Sequence, residues 1–206
     1  MNELQEYGFS FTATTLRLDD FRQAVEMFQQ STKPIDIDDL IEDFSSRKSR
    51  TNKRILQEYI KRYEALTPAQ IDLFTRTGSH QQAQIALLSC CKVYPYIADF
   101  VIEVVREKYL VFDLELTDAD YRSFFNSKTD LHPEIAQFAE ATLKKGKQHV
   151  FKIVEEGGLI DSIHTRMIQP QFPSEELKHV ILSDNPNWLR LFLLSDHDIE
   201  KELQKW

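Results

Sequence analysis

Signals that start and stop helices recur along this chain at a spacing that leaves little room for extended sheet. Thr67-Pro68-Ala69-Gln70 sets a capping hydroxyl, a proline at the first helical position and a glutamine three residues past the cap. A helix is predicted to start there and to stop before Gly78. Ser79 and Gln82 repeat the cap spacing and open a helix through Ile85, Leu88 and Cys91 that Pro95 interrupts. Ile97, Phe100, Val101, Val104, Val105 and Lys108 continue the helical period, so residues 79–109 are predicted to form two packed helices. With only 5 glycines in 206 residues and no sustained alternation of apolar and polar residues, strands are not expected. The fold class this predicts is all-α, a compact multi-helix globular protein. Its least helical stretches are the N-terminal FSFTATT and residues 159–173.

A soft boundary falls at residues 110–130, where acids and turn residues lie between helical runs. It divides the chain into an N-terminal helical region, 1–110, and a C-terminal one, 111–206, with no low-complexity linker between them, so the two are expected to pack together. The two cysteines, Cys90 and Cys91, are adjacent, which rules out an ordinary disulfide between them and matches no zinc-ligand spacing; both are predicted core residues of a helix. Trp188, in PNWLRLFLL, is expected to anchor a C-terminal helix. No apolar run approaches the roughly 18 residues that span a bilayer, and the N-terminus lacks the basic and apolar regions of a leader peptide. The expected location is the cytoplasm, with no membrane contact.

Charge is distributed unevenly. Between Arg47 and Arg62 seven basic residues (Arg47, Lys48, Arg50, Lys53, Arg54, Lys61, Arg62) meet one acid, Glu58, a local charge of +6, while the remaining 190 residues hold 18 basic and 32 acidic side chains and sum to −14. A positive field concentrated on a negative body points to a polyanion. On a helix, Ile55, Leu56, Tyr59, Ile60, Tyr63 and Leu66 share one arc, and Arg50, Arg54, Gln57 and Lys61 share the opposite one. Ser49 or Thr51 can cap it. The preceding IDIDDLIEDF reads as a short acidic helix from about Asp36 to Phe44, with Ser45 and Ser46 as the turn, so about 36–66 has the order of a helix-turn-helix unit. The plainer alternative is an amphipathic helix whose charges are simply solvated.

A second unit of this kind is predicted over about 133–160. Its first helix begins at Pro133 and yields near Glu140 to Thr142 to another, which ends at Gly157-Gly158, a C-cap signal. The second helix buries Leu143, Val150, Phe151 and Val154 and turns Lys145, Gln148 and Lys152 outward, with Lys144 beside them. This resembles the core of winged-helix proteins, with SIHTRMIQPQFP, containing Arg166, in the place of the wing; Pro170 and Pro173 argue against a regular hairpin there. A core helix pair with solvated lysines fits the same pattern.

Signatures of catalysis are lacking. Asp36, Asp38, Asp39, Glu42 and Asp43 have neither the bend glycine nor the closing glutamate of a calcium loop, and suit the first turn of a helix. The six histidines show no metal-ligand spacing, Gly157-Gly158 closes a helix instead of opening one, and neither a nucleophile elbow nor a P-loop occurs. Asp113 and Glu115 lack a following nuclease-type lysine. Tyr59 and Tyr63 share the apolar arc and are expected to pack, not to stack on bases. A non-enzyme without metal or cofactor is expected.

The order of these pieces resembles the BrxA family, an accessory component of bacteriophage exclusion (BREX) defence systems. The resemblance rests on YGFSFTATTL, RTNKRILQEYIKRYEALT, CKVYPYIADFVIEVVREK and ATLKKGKQHVFKIVEEGGLI, and most specifically on the Lys53-Arg54-Ile55 helix with Leu66-Thr67 and on the segment from Thr142 to Ile160. It implies an all-helical, cytoplasmic, DNA-binding protein that works beside a methyltransferase and other large defence subunits. The matching contact positions are Arg50, Lys53, Arg54 and Lys61 in the first unit and Lys144, Lys145, Gln148 and Lys152 in the second. With Arg47, Lys48 and Gln57 from the same basic run, these make the expected DNA-binding set. The function expected is non-catalytic binding of double-stranded DNA through phosphates within such a system. The alternative is a protein–protein adaptor of the same complex, without direct DNA contact.

Overall fold

An N-terminal strap runs between two basic helices and fixes their spacing. The computed structural model describes residues 6–30 and 50–205. The expected acidic helix at 36–44, its serine turn, the cap at Ser49 and the contact positions Arg47 and Lys48 lie outside those residues. The strap, residues 6–17, is irregular apart from a 3₁₀ turn at Ser10–Ala13, and it buries Tyr7, Phe9, Phe11 and Leu16. Helices follow in order: α1 (Leu18–Gln30), α2 (Arg50–Ala65), α3 (Pro68–Arg76), α4 (Ser79–Val93), α5 (Pro95–Leu110), α6 (Asp118–Leu131), α7 (Glu140–Glu156), α8 (Glu175–Leu182) and α9 (Asp196–Gln204). The fold is all-α; among the described residues the only extended pairing is a pair of isolated antiparallel bridges.

The local signals act largely as the chain chemistry dictates. Thr67 accepts from the Gln70 N–H at 3.3 Å, and the Gln70 side chain accepts from the Thr67 N–H at 3.1 Å, closing the capping box of α3. At α4 the cap is Gly78, not Ser79, and Gln82 instead turns inward to donate to the Phe74 carbonyl at 2.8 Å. Tyr94, extended ahead of Pro95, breaks the chain direction, so α4 and α5 meet at 117°. The middle of α5, Val101–Arg106, is π-helical. No single described helix is long and apolar enough to cross a membrane, and the bent α4–α5 pair, which could pass by length and composition, is sharply angled, with α4 solidly buried from Gln84 to Cys91.

The stretch 110–130, read from sequence as a soft boundary, contains a helix. Thr117 and Asp120 form a second reciprocal capping box, with the Thr117 N–H donating to Asp120 at 2.7 Å, and α6 runs from there to Leu131. Conversely, the helix expected to start at Pro133 is only a 3₁₀ turn, Pro133–Gln137. Glu134 accepts from the Tyr7 N–H at 2.9 Å and lies 2.8 Å from His132 Nδ1, so it is drawn onto the strap, and Phe138 is already extended. The helix before α7 is therefore α6.

One buried cluster runs from Tyr7 to Ile199. Cys90 and Cys91 lie within it, and burial pushes both thiols up, so neither is a ready nucleophile. Trp188 sits, half-buried, in a 3₁₀ turn at Pro186–Phe192 that packs against α5, α8 and α9. Arg106, 5% exposed, ties this end to α5 by donating to the Leu194 carbonyl and to Asp196, both at 2.8 Å.

α7 ends as its Gly-Gly predicts. Gly158 takes φ +76°, the Leu159 N–H donates to the Val154 carbonyl at 2.8 Å and the Gly158 N–H to Glu155 at 2.9 Å, a Schellman closure. The chain then passes through 159–161, a tight turn, and 166–169. The Asp161 and Gln169 N–H groups bond across to Met167 and Leu159, while those of Leu116 and Ile168 bond to Arg166 and Leu114. Isolated antiparallel bridges thus join Ile160 to Ile168 and Glu115 to Met167, so residues 167–168 lie between the other two pieces, while Arg166 just before them takes a left-handed φ of 52°.

Candidate nucleic-acid interface

Both basic helices pack on the strap's 3₁₀ turn. On α2 the apolar arc is inward as predicted, with Ile55, Leu56, Tyr59 and Leu66 buried and Ile60 and Tyr63 half-buried. Arg54, Gln57 and Lys61 are exposed and Lys53 is half-buried. Arg50 opens the helix. Lys61 reaches Glu58 at 2.9 Å and Ser10 Oγ at 3.3 Å. Arg62, by contrast, is 1% exposed: it donates to the Thr15 carbonyl at 2.8 Å and to Thr14 at 3.3 Å, serving the fold and not the surface.

α7 also approaches the strap closely. Gly146 permits this, because a Cβ there would stand 3.0 Å from the Phe9 ring, itself hemmed in by Phe11, Tyr96 and Phe138. His149 adds a polar tie, Nδ1 lying 3.2 Å from the Phe11 carbonyl. Burial, reinforced by Lys145, holds its imidazole pKa below the ordinary value of 6.5, so the neutral ring with Nδ1–H as donor is the form present near neutrality.

Mounted in this way, α2 and α7 each bring a cation to a common groove. Arg54 and Lys145, 91 positions apart, line the same groove of about 470 Å³, with Thr51 and Ala13. On the far flank of α7 lies a second groove of about 700 Å³, which Lys144, Gln148 and Lys152 line together with Lys147 and Arg166. Lys144, Lys145 and Gln148 are exposed; Lys152 is half-buried and paired with Glu155, which raises its pKa.

Two cations of this face are absent from the set drawn from sequence. Lys147 follows Leu143 by four residues and precedes Phe151 by four, so periodicity assigns it to the buried arc; it escapes by laying its stem across Tyr121, with Nζ 5.6 Å from the ring centroid. Arg166 lies in an aperiodic loop, and only the tertiary fold shows its guanidinium 4.1 Å from the Phe151 ring centroid. Both are bound to Asp118, whose carboxyl is held below the usual range first by Arg166 and then by Lys147. Among the described residues no group of three His, Cys, Asp or Glu side chains is arranged to hold a metal ion.

Fold and site together define an all-α protein with a cation-lined face built on two strap-mounted helices. The chain belongs to the BrxA family of the BREX system, whose model matches residues 5–185. Among its relatives, a BREX protein BrxA from Escherichia coli O9:H4 (strain HS) is 24% identical over 131 residues, 64% of this chain and 62% of that one. A BREX protein BrxA from Bacillus cereus (strain H3081.97) is 33% identical over 76 residues, 37% of this chain and 38% of the relative. The matched segments therefore span less than two thirds of either relative. The crystal structure of an uncharacterized protein from Magnetospirillum magneticum is similar with a TM-score of 0.73 at 18% identity, covering 93% of this chain and 100% of the other, a likeness of fold alone.

Proposed function

We propose that this protein is a non-catalytic accessory of a BREX-type defence system that binds double-stranded DNA, mainly through phosphates, with the shared face of α2 and α7. The observation that carries the reading is the groove holding both Arg54 and Lys145: cations from distant segments converge although the chain as a whole is acidic, with a net charge of −8. The order α6, turn, α7, then a loop whose two sides meet in the Ile160–Ile168 bridge is compatible with a winged-helix unit, with α7 as the helix offered to the major groove. In this reading the unit belongs to the region 111–206 and α2 to the region 1–110. Lys53, Arg54, Gln57, Lys61, Lys144, Lys145, Gln148 and Lys152 make the contacts, with Arg50 and, from the segment before it, Arg47 and Lys48. The protein works in the cytoplasm beside other subunits of the system, the methyltransferase among them.

An adaptor reading also has an observation in its favour. Val111 and Phe112 are 71% and 87% exposed at the end of α5, apolar surface suited to a protein partner. The two roles are separable by salt. Binding of unrelated duplexes should weaken linearly in log–log form, with a slope of about −0.9 per phosphate neutralised. Absence of duplex binding even at low salt would leave the adaptor reading in place.

A further inference from the structure

In the larger groove two cations converge on one oxygen. Arg166 Nη1 and Lys147 Nζ lie 2.6 and 3.1 Å from the same atom, Asp118 Oδ1. Neither cation is loosely placed: the Arg166 guanidinium is stacked over Phe151 and its Nε donates to the Ile163 carbonyl at 3.0 Å, while Lys147 lies over Tyr121. Two fixed donors aimed at a single carboxylate oxygen can serve a phosphate oxygen in the same place. The acid between them is the accessible member, its side chain 55% exposed against 25% for Arg166 and 34% for Lys147. The capping box that starts α6 is made by Thr117 and Asp120, so the fold does not depend on Asp118 for it.

We propose that Lys147 and Arg166 form a phosphate subsite of the DNA-binding face and that Asp118 occupies it in the free protein as an internal competitor. The proposal rests on the DNA-binding reading and adds to it a device that weakens binding. DNA must displace a carboxylate to gain the two cations, and the displaced charge then repels the incoming phosphate. Affinity for any duplex is thereby held below what the cations alone would give.

The test is equilibrium binding of unrelated duplexes to the full chain at several salt concentrations. Asp118→Asn keeps shape but removes charge, and should bind roughly fivefold more tightly at low salt. Its salt slope should steepen by up to about 0.9, because one negative charge no longer offsets the cations that meet the phosphate. Adding Arg166→Gln should abolish the gain. Asp118→Ser, which keeps a hydroxyl in the first turn of α6, should reproduce it and serves if the asparagine variant proves unfolded. Equal or weaker binding by the folded Asp118 variants, with the unsubstituted protein binding normally, overturns the internal competitor. Absence of binding by every protein overturns the DNA reading and this inference with it.

Discussion

The helices α2 and α7 both hold the strap's 3₁₀ turn, by different physics. α2 uses a buried cation: Arg62 satisfies the Thr14 and Thr15 carbonyls from within the core. α7 relies mainly on close approach, with Gly146 against Phe9, and adds the neutral ring of His149. A count of lysines and arginines therefore overstates the surface charge of α2, where Arg62 is buried, while the helical period alone understates that of α7, where Lys147 snorkels out of the buried arc. Sequence supplies the cations, but burial decides which of them can meet a partner.

The largest effect expected from this contrast is on stability. Arg62→Ala leaves the Thr14 and Thr15 carbonyls without their donor and opens a cavity where a fully buried side chain stood; the cost should be about 3 kcal/mol. Denaturant unfolding measures it, with Arg54→Ala as the surface control, expected to change stability by less than about 0.5 kcal/mol. Similar values for the two would erase the distinction between structural and exposed cations on α2.

A smaller effect, and a pH-dependent one, is expected on the α7 side. Because the imidazole pKa of His149 is below 6.5 in the folded protein, the unfolded chain takes up its proton first as pH falls. The contribution of the neutral ring is thus fully present above 6.5 and is lost progressively below it. His149→Gln, which can still donate to Phe11, should flatten the stability profile between about pH 7 and 5 by a few tenths of a kcal/mol, allowing for solvent screening of a half-buried group. An unchanged profile would remove His149 as a titrating tie to the strap.

The helices were legible where local chemistry decides them. Thr67 with Gln70 and Gly157 with Gly158 mark their helix ends in sequence and in space. Thr117 with Asp120 carries the same reciprocal pattern, but Asp in place of Glu or Gln at the third position, amid other acids, hid α6. At Pro133 the local signal was genuine and was overridden by a distant partner, since Glu134 is engaged by Tyr7, 127 residues away. The candidate site divides in the same way. The outward faces of α2 and α7 follow from a 3.6-residue period, whereas the meeting of Arg54 with Lys145 and the clamp of Arg166 and Lys147 on Asp118 arise from packing across the chain.

The most direct test of a shared face is duplex binding by Arg54→Glu and by Lys145→Glu, each confirmed folded by circular dichroism. If both helices contact one duplex, either reversal should weaken binding to unrelated sequences by a comparable factor, roughly tenfold at low salt, and should make the salt slope shallower by about 0.9. A loss confined to one variant, with the other binding as tightly and as steeply as the unsubstituted protein, would contradict a single DNA-binding face built from α2 and α7.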